Sequence, residues 1–246
     1  EEKGPLYAAF HAAAERGWRN FQELAPGVLG EQVAMAVQAG ERLGKRAIYE
    51  AQSLLATWIG DAKIRAPRGG KTLLDPAKLA ALRQRLRPGD ILLERRNWFL
   101  SNAFLPGYWP HAALFVGNSA DLERLGLRQH PQVARHWAEF SRPDLEGHAP
   151  VIVEALSEGV VFASLEHSIG GGDAVAVFRP RLPEEQVKEA IGRGFSHAGK
   201  PYDFEFDFFS TDKIVCTELV YRSYDGAIQF PLVEVMGRRT LPAIEI

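Results

Sequence analysis

The chain is nearly without cysteine. Its one thiol, Cys216, excludes any disulfide within the chain, so pairing says nothing of the redox compartment. There is no CxxC and no HExxH, and His130 and His136, six apart with Pro131 between them, fit no zinc spacing. We therefore expect no metal and no cofactor. No apolar run reaches about 18 residues, so no transmembrane helix is in view. An excess of either charge is lacking too. The 29 basic and 31 acidic residues give a formal −2, and nothing in that balance asks for nucleic acid. Basic side chains gather only in short runs, Arg83-Gln84-Arg85-Leu86-Arg87 and Arg95-Arg96, which read as solvated surface in preference to an anion or membrane-surface site. Internal repeats and low-complexity segments are absent.

What is there is enough for one sizeable domain with a helical addition: 246 residues, 46% of them hydrophobic. Residues 1–70 read as a helical N-terminal extension. Leu6 to Leu24 is Ala-rich and is broken by Pro26-Gly27, and from Val28 to Ile59 apolar residues recur every three or four positions, as in one long amphipathic helix. Gly40 and Gly44 on that stripe suit close contact with another helix. Ala66-Pro67-Arg68-Gly69-Gly70-Lys71 is a linker by composition. Residues 71–246 then form the second unit. Asp75-Pro76 starts a short helix to Leu86. After Arg87-Pro88-Gly89-Asp90 come candidate strands at Ile91–Glu94, Ala112–Val116, Val151–Leu156, Val160–Ala163 and Ala174–Phe178. Residues 118–150 read as a long polar insertion with a turn or two of helix near His136-Trp137. Gly170-Gly171-Gly172-Asp173 reads as a tight link between strands, since no Gly-Lys-Ser/Thr follows to make a phosphate loop. A helix from Leu182 to Ala198 ends at Gly199, and one carrying Cys216 runs to about Tyr224 with Gly226 after it.

Cys216 stands near the start of that last helix, behind the capping candidates Thr211 and Asp212. There the macrodipole favours thiolate over thiol. The bland alternative is a buried structural cysteine. His111 opens the strand Ala112–Val116, and Trp109 and Pro110 before it would stiffen the approach and shield the ring, as a general base near neutral pH requires. Glu154 is an acid inside an apolar strand, on one face with Ile152 and Leu156. A carboxylate in that setting needs a partner, and holding an imidazole tautomer would supply one. Tyr202, in the turn before the cysteine helix, either packs or helps the backbone N–H of Cys216 hold an oxyanion. Asp203 reads as a turn residue and Glu218 as a helix-surface or capping group. Trp98, Phe99, Phe104, Tyr108 and Trp109 either wall an apolar substrate cleft or fill core.

Taken in order, Pro88-Gly89-Asp90-Ile91-Leu92, His111-Ala112-Ala113-Leu114-Phe115-Val116-Gly117, Val153-Glu154-Ala155 with Gly159-Val160, Pro201-Tyr202-Asp203-Phe204 and Cys216-Thr217-Glu218-Leu219-Val220 resemble the circularly permuted branch of the NlpC/P60 papain-like superfamily, the YiiX/YebB-like group. The resemblance covers roughly residues 86 to 226. It implies an α+β fold with a small antiparallel sheet packed on the nucleophile helix, and the order His111, Glu154, Cys216 fits the permuted branch. It also implies Cys216 as nucleophile, His111 as base and Glu154 as the residue that orients the histidine. The chain departs from the pattern twice. The 43 positions from His111 to Glu154 are long for adjacent strands and suggest a lid or specificity loop, and the N-terminal helices have no counterpart in the motif set.

The implied activity is a cysteine amidase or peptidase working through a thioester on cell-wall-type peptide amides. One rival is a lipid-directed thiol acyltransferase or phospholipase, whose acyl chain would suit the aromatic stretch Trp98 to Trp109. The other is a binding module that keeps the cleft without turnover. The expected partner is a peptide or acyl-bearing small substrate, with membrane-surface contact through the N-terminal helices left open and the oligomeric state unassigned. A start at Glu1 instead of Met leaves room for a removed export signal, hence a cell-envelope or periplasmic location, and otherwise a cytoplasmic one.

Overall fold

The computed structural model describes residues 72–97, 108–203, 208, 211–235 and 238–246. The N-terminal extension, Gly40, Gly44, Trp98, Phe99 and Phe104 lie outside those residues. The described elements run α1 (Pro76–Arg83), β1 (Asp90–Arg95), β2 (His111–Phe115), α2 (Ser119–Arg124), α3 (Pro131–Phe140), β3 (Pro150–Leu156), β4 (Gly159–Ser164), α4 (Leu165–Ile169), β5 (Ala174–Phe178), α5 (Glu184–Ser196), α6 (Cys216–Ser223), β6 (Val233–Val235) and β7 (Arg238–Thr240). Strands β1 to β5 make one antiparallel sheet in the order β4-β3-β2-β1-β5, and β6 and β7 pair as a separate hairpin.

Both faces of the sheet are covered, which is why β1 reads as an unbroken apolar run instead of alternating. Ile91, Leu93, Ala112, Leu114, Val153 and Ala155 form the larger core with Phe140, Phe195, Leu219 and Val220 of α3, α5 and α6. Leu92, Ala113, Phe115 and Ile152 face the other way, onto Leu79 of α1 and Leu165 and Ile169 of α4. Fully burying an aliphatic or aromatic side chain of this kind contributes roughly 1.5–3 kcal/mol.

The turn into β1 is tied down from three sides. Asp90, wholly buried, accepts from the Arg87 N–H over 2.8 Å and from Arg179 Nε and Nη2 over 2.7 Å each. Tyr224, just after α6, donates its hydroxyl to the Gly89 carbonyl, coupling the cysteine helix to the first strand. Gly89 has φ +92°, and a Cβ there would fall 2.4 Å from Val187 Cγ1, so both conformation and space demand glycine.

Three expectations need correction. The 118–150 segment is not irregular: it holds α2 and α3, and Phe140 at the end of α3 is fully buried among Phe162 and Phe195, with centroids 5.4 and 5.1 Å away. The glycine run after β4 does not link two strands directly, because α4 precedes it. Thr211 and Asp212 do not cap α6, whose N-cap is Val215. The carboxylate of Glu218 reaches back to the Val215 N–H at 3.4 Å, and Glu218 is buried, not on the helix surface.

Candidate active site

The site forms where the head of β2 meets the start of α6. Helix α6 lies along β2, so its first residue, Cys216, comes beside the first residues of that strand. The imidazole of His111 hydrogen-bonds the thiol, and the backbone N–H groups of Ala112 and Thr217 also point at the sulfur. On its other side the ring meets Glu154, with Nε2–H donating to Oε2 over 2.7 Å. Nε2 is thereby taken, which leaves Nδ1 to face the sulfur. Glu154 comes from β3, the strand adjacent to β2, and is 1% exposed.

Tyr202 is placed by a short parallel bridge to Ile214. The Asp203 N–H donates to the Ile214 carbonyl over 3.2 Å and the Ile214 N–H to the Pro201 carbonyl over 3.1 Å. This pins the Pro201–Asp203 turn against the approach to α6 and sets the Tyr202 hydroxyl on the Cys216 sulfur. Trp109 takes a different place: its ring packs against the larger core and edge-on to Tyr108, with centroids 4.9 Å apart. Tyr108 is in turn held by Arg95, whose guanidinium lies 4.5 Å from the ring centroid and donates to the Tyr108 carbonyl over 2.6 Å. Tyr108 and Trp109, which lead into His111, are thus held by contacts on both sides.

The electrostatics follow from these contacts. Burial alone would push the Cys216 thiol up, but the hydrogen bond and charge of His111, with the two backbone N–H groups, bring it below the ordinary thiol value. Burial likewise opposes charge on His111, yet its bonds to Cys216 and Glu154 prevail and hold the imidazole well above the ordinary histidine value. Glu154 is raised by burial and lowered by more through His111, Ser168 and Arg96. Burial and the neighbouring thiolate push the Tyr202 phenol well up, so it stays a donor. The Cys216 and His111 shifts both favour a thiolate–imidazolium pair backed by a carboxylate. Cys216 is 7% exposed and the His111 side chain 17%, a mostly dry pair that solvent still reaches.

Three neighbours complete the site: Ser168 and Glu94, not singled out from the sequence, and Arg96, expected to be solvated surface but half-buried against Glu94. Ser168 of α4 donates Oγ–H to Glu154 Oε2 over 2.9 Å. Arg96 donates from Nε to Glu94 Oε1 over 2.9 Å and from Nη2 to the Ser168 carbonyl over 2.7 Å. Glu94, buried, is the cross-strand partner of His111, and burial raises its carboxyl against the pull of Arg96. Glu94 did carry a signal, the one that marked Glu154: an acid inside an apolar strand. Among the described residues no group of three or more His, Cys, Asp or Glu could hold a metal ion, and no helix is long and apolar enough to cross a membrane.

An α+β chain with a small antiparallel sheet packed on a cysteine-bearing helix is papain-like in class. More narrowly, the chain belongs to the permuted papain-like amidase family, the YaeF/YiiX or C92 family, whose profile matches residues 85–244, well over half of its length. It is therefore an enzyme of the amidase/peptidase kind. No curated protein and no solved structure matches it.

Proposed function

We propose that the chain cleaves peptide amides of cell-wall type through a thioester on Cys216, with His111 and Glu154 as its partners. The observation that carries this reading is the single line of hydrogen bonds from sulfur through imidazole to a buried carboxylate. The thiolate attacks the amide carbonyl and the S–C bond forms. The developing oxyanion is met by the Cys216 N–H, one of the first-turn groups that a helix leaves without an internal partner, and by the Tyr202 hydroxyl. As the C–N bond breaks, His111 gives its proton to the leaving amine. Water then enters, His111 takes one of its protons as its oxygen bonds the acyl carbon, the S–C bond breaks, and the acid departs with the thiolate–imidazolium pair restored. Glu154 keeps Nε2 protonated, so Nδ1 alone exchanges protons with substrate and water. Within the superfamily we read the chain as a permuted NlpC/P60-type enzyme with an N-terminal helical extension.

The competing lipid-directed reading draws on the Tyr108–Trp109 ring pair just before His111. The full chain, incubated with a cell-wall-type peptide and separately with phospholipid vesicles, decides between them. Our reading expects primary amines from the peptide, lost in Cys216→Ala. Fatty acid from the vesicles without amine from the peptide would replace it with the lipid-directed one. A parent that turns over neither, yet binds the peptide as tightly as Cys216→Ala does, would mark a binding module.

A further inference from the structure

The carboxylate that orients His111 is itself held on one atom. Glu154 Oε2 accepts both the His111 Nε2–H, over 2.7 Å, and the Ser168 hydroxyl, over 2.9 Å, while Oε1 is buried with no hydrogen-bond partner. The carboxylate is thus a two-fold rotor with a single fixed oxygen, and the Ser168 hydroxyl is the anchor that does not depend on the histidine. Ser168 is 1% exposed, and its own position is set by Arg96, which clamps the Ser168 carbonyl with Nη2 and Glu94 with Nε. Glu94 is 2% exposed and faces His111 across β1 and β2, so without Arg96 a second buried carboxylate would stand beside the imidazole.

Gly172 bears on the same clamp. A Cβ there would fall 2.9 Å from Glu94 Oε1 and 2.9 Å from the Ile169 carbonyl. The loop after α4 therefore closes over the Glu94–Arg96 pair only because it carries no side chain at that point.

We propose that Ser168 and Arg96 are positioning residues for the reaction. Ser168 fixes Oε2 of Glu154 so that the ring presents Nδ1 to the sulfur, and Arg96 holds Ser168 in place while engaging Glu94 away from His111. Neither touches the reacting atoms; both act through Glu154. This rests on the reading of Cys216, His111 and Glu154 given above.

The test is a double-mutant cycle on the full chain, using p-nitrophenyl acetate as the acyl probe and the burst of p-nitrophenolate as the readout. Ser168→Ala slows the burst about tenfold, as expected for losing one hydrogen bond to a charged group, and leaves the half-saturating ester concentration unchanged. In a Glu154→Gln background the same substitution changes the rate less than twofold, because its route of action is already cut. Arg96→Met slows the burst comparably and Arg96→Lys recovers most of it. A Ser168→Ala burst equal to the parent's, or a full tenfold loss repeated in the Glu154→Gln background, overturns the proposal. Should Ser168→Ala be too unstable to assay, the Arg96 pair decides: lysine no better than methionine refutes the clamp. Failure of the underlying reading looks different, since Cys216→Ala would then still give a burst.

Discussion

Glutamine at position 154 keeps the shape of the side chain and removes its charge. The bond at stake joins His111 Nε2 to Glu154 Oε2 over 2.7 Å, between side chains 17% and 1% exposed, so solvent screens it little. A hydrogen bond to a charged group contributes roughly 1.5–3 kcal/mol, and each ~1.36 kcal/mol is tenfold in rate. Glu154→Gln should therefore slow acylation of Cys216 between about tenfold and a hundredfold. Glu154 also helps hold His111 well above its ordinary value. With the anion gone the imidazolium gives up its proton sooner, so the alkaline limb of the acylation profile moves to lower pH. Stability falls as well. If the amide oxygen takes the place of Oε2, its NH2 lands at the buried, partnerless position of Oε1, at about 1–3 kcal/mol. Single-turnover release of p-nitrophenolate across pH, beside urea melts, reads all three effects. Acylation within twofold of the parent, with only the melt displaced, would show that Glu154 serves the fold and not the histidine.

Three other outcomes follow from the same contacts. In His111→Ala the thiol loses the partner that outweighs burial, so iodoacetamide labelling of Cys216 should begin at distinctly higher pH than in the parent; an unchanged onset would remove the pair. Phe140→Ala, in the segment expected to be a lid, should cost about 3–5 kcal/mol in urea melts because the ring is fully buried; less than about 1 kcal/mol would return the segment to the surface. Burial raises Glu218 to about 7 against the pull of Arg222. The fold then binds that proton more tightly than the unfolded chain, so this group's contribution is full below the ordinary carboxylate value and is lost as pH rises to about 7. Glu218→Gln should flatten the fall in melting temperature over that window, and an unaltered slope would assign the fall elsewhere.

Much of this arrangement was legible before any coordinates. The strands announced themselves because Ile91-Leu92-Leu93 and Val151-Ile152-Val153 are uninterrupted and a sheet covered on both faces needs such runs. Glu154 stood out by its polarity in one of them. Cys216, the single thiol, and His111 at a strand head were visible as chemistry, although nothing local dictates that α6 lies along β2. Residues 118–150 read as polar with only a turn or two of helix near His136-Trp137, and it is packing on α5 that reveals Val133 and Phe140 of α3 as core. Glu218 reads as surface or cap; it does cap α6, and its burial beside Arg222, one turn on, is set by packing that no local pattern shows. Ser168 was silent: a serine in a five-residue helix has no periodic mark, and its meaning comes from where α4 sets it against β3.

The central claim is tested most directly by intact mass of the full chain after brief exposure to an activated acyl ester, with the adduct mapped by peptide digestion. The account predicts one acyl group, as a thioester on Cys216, absent in Cys216→Ala and slow to form in His111→Ala. An adduct on another residue, or one that forms at the parent's rate without the imidazole, would contradict it.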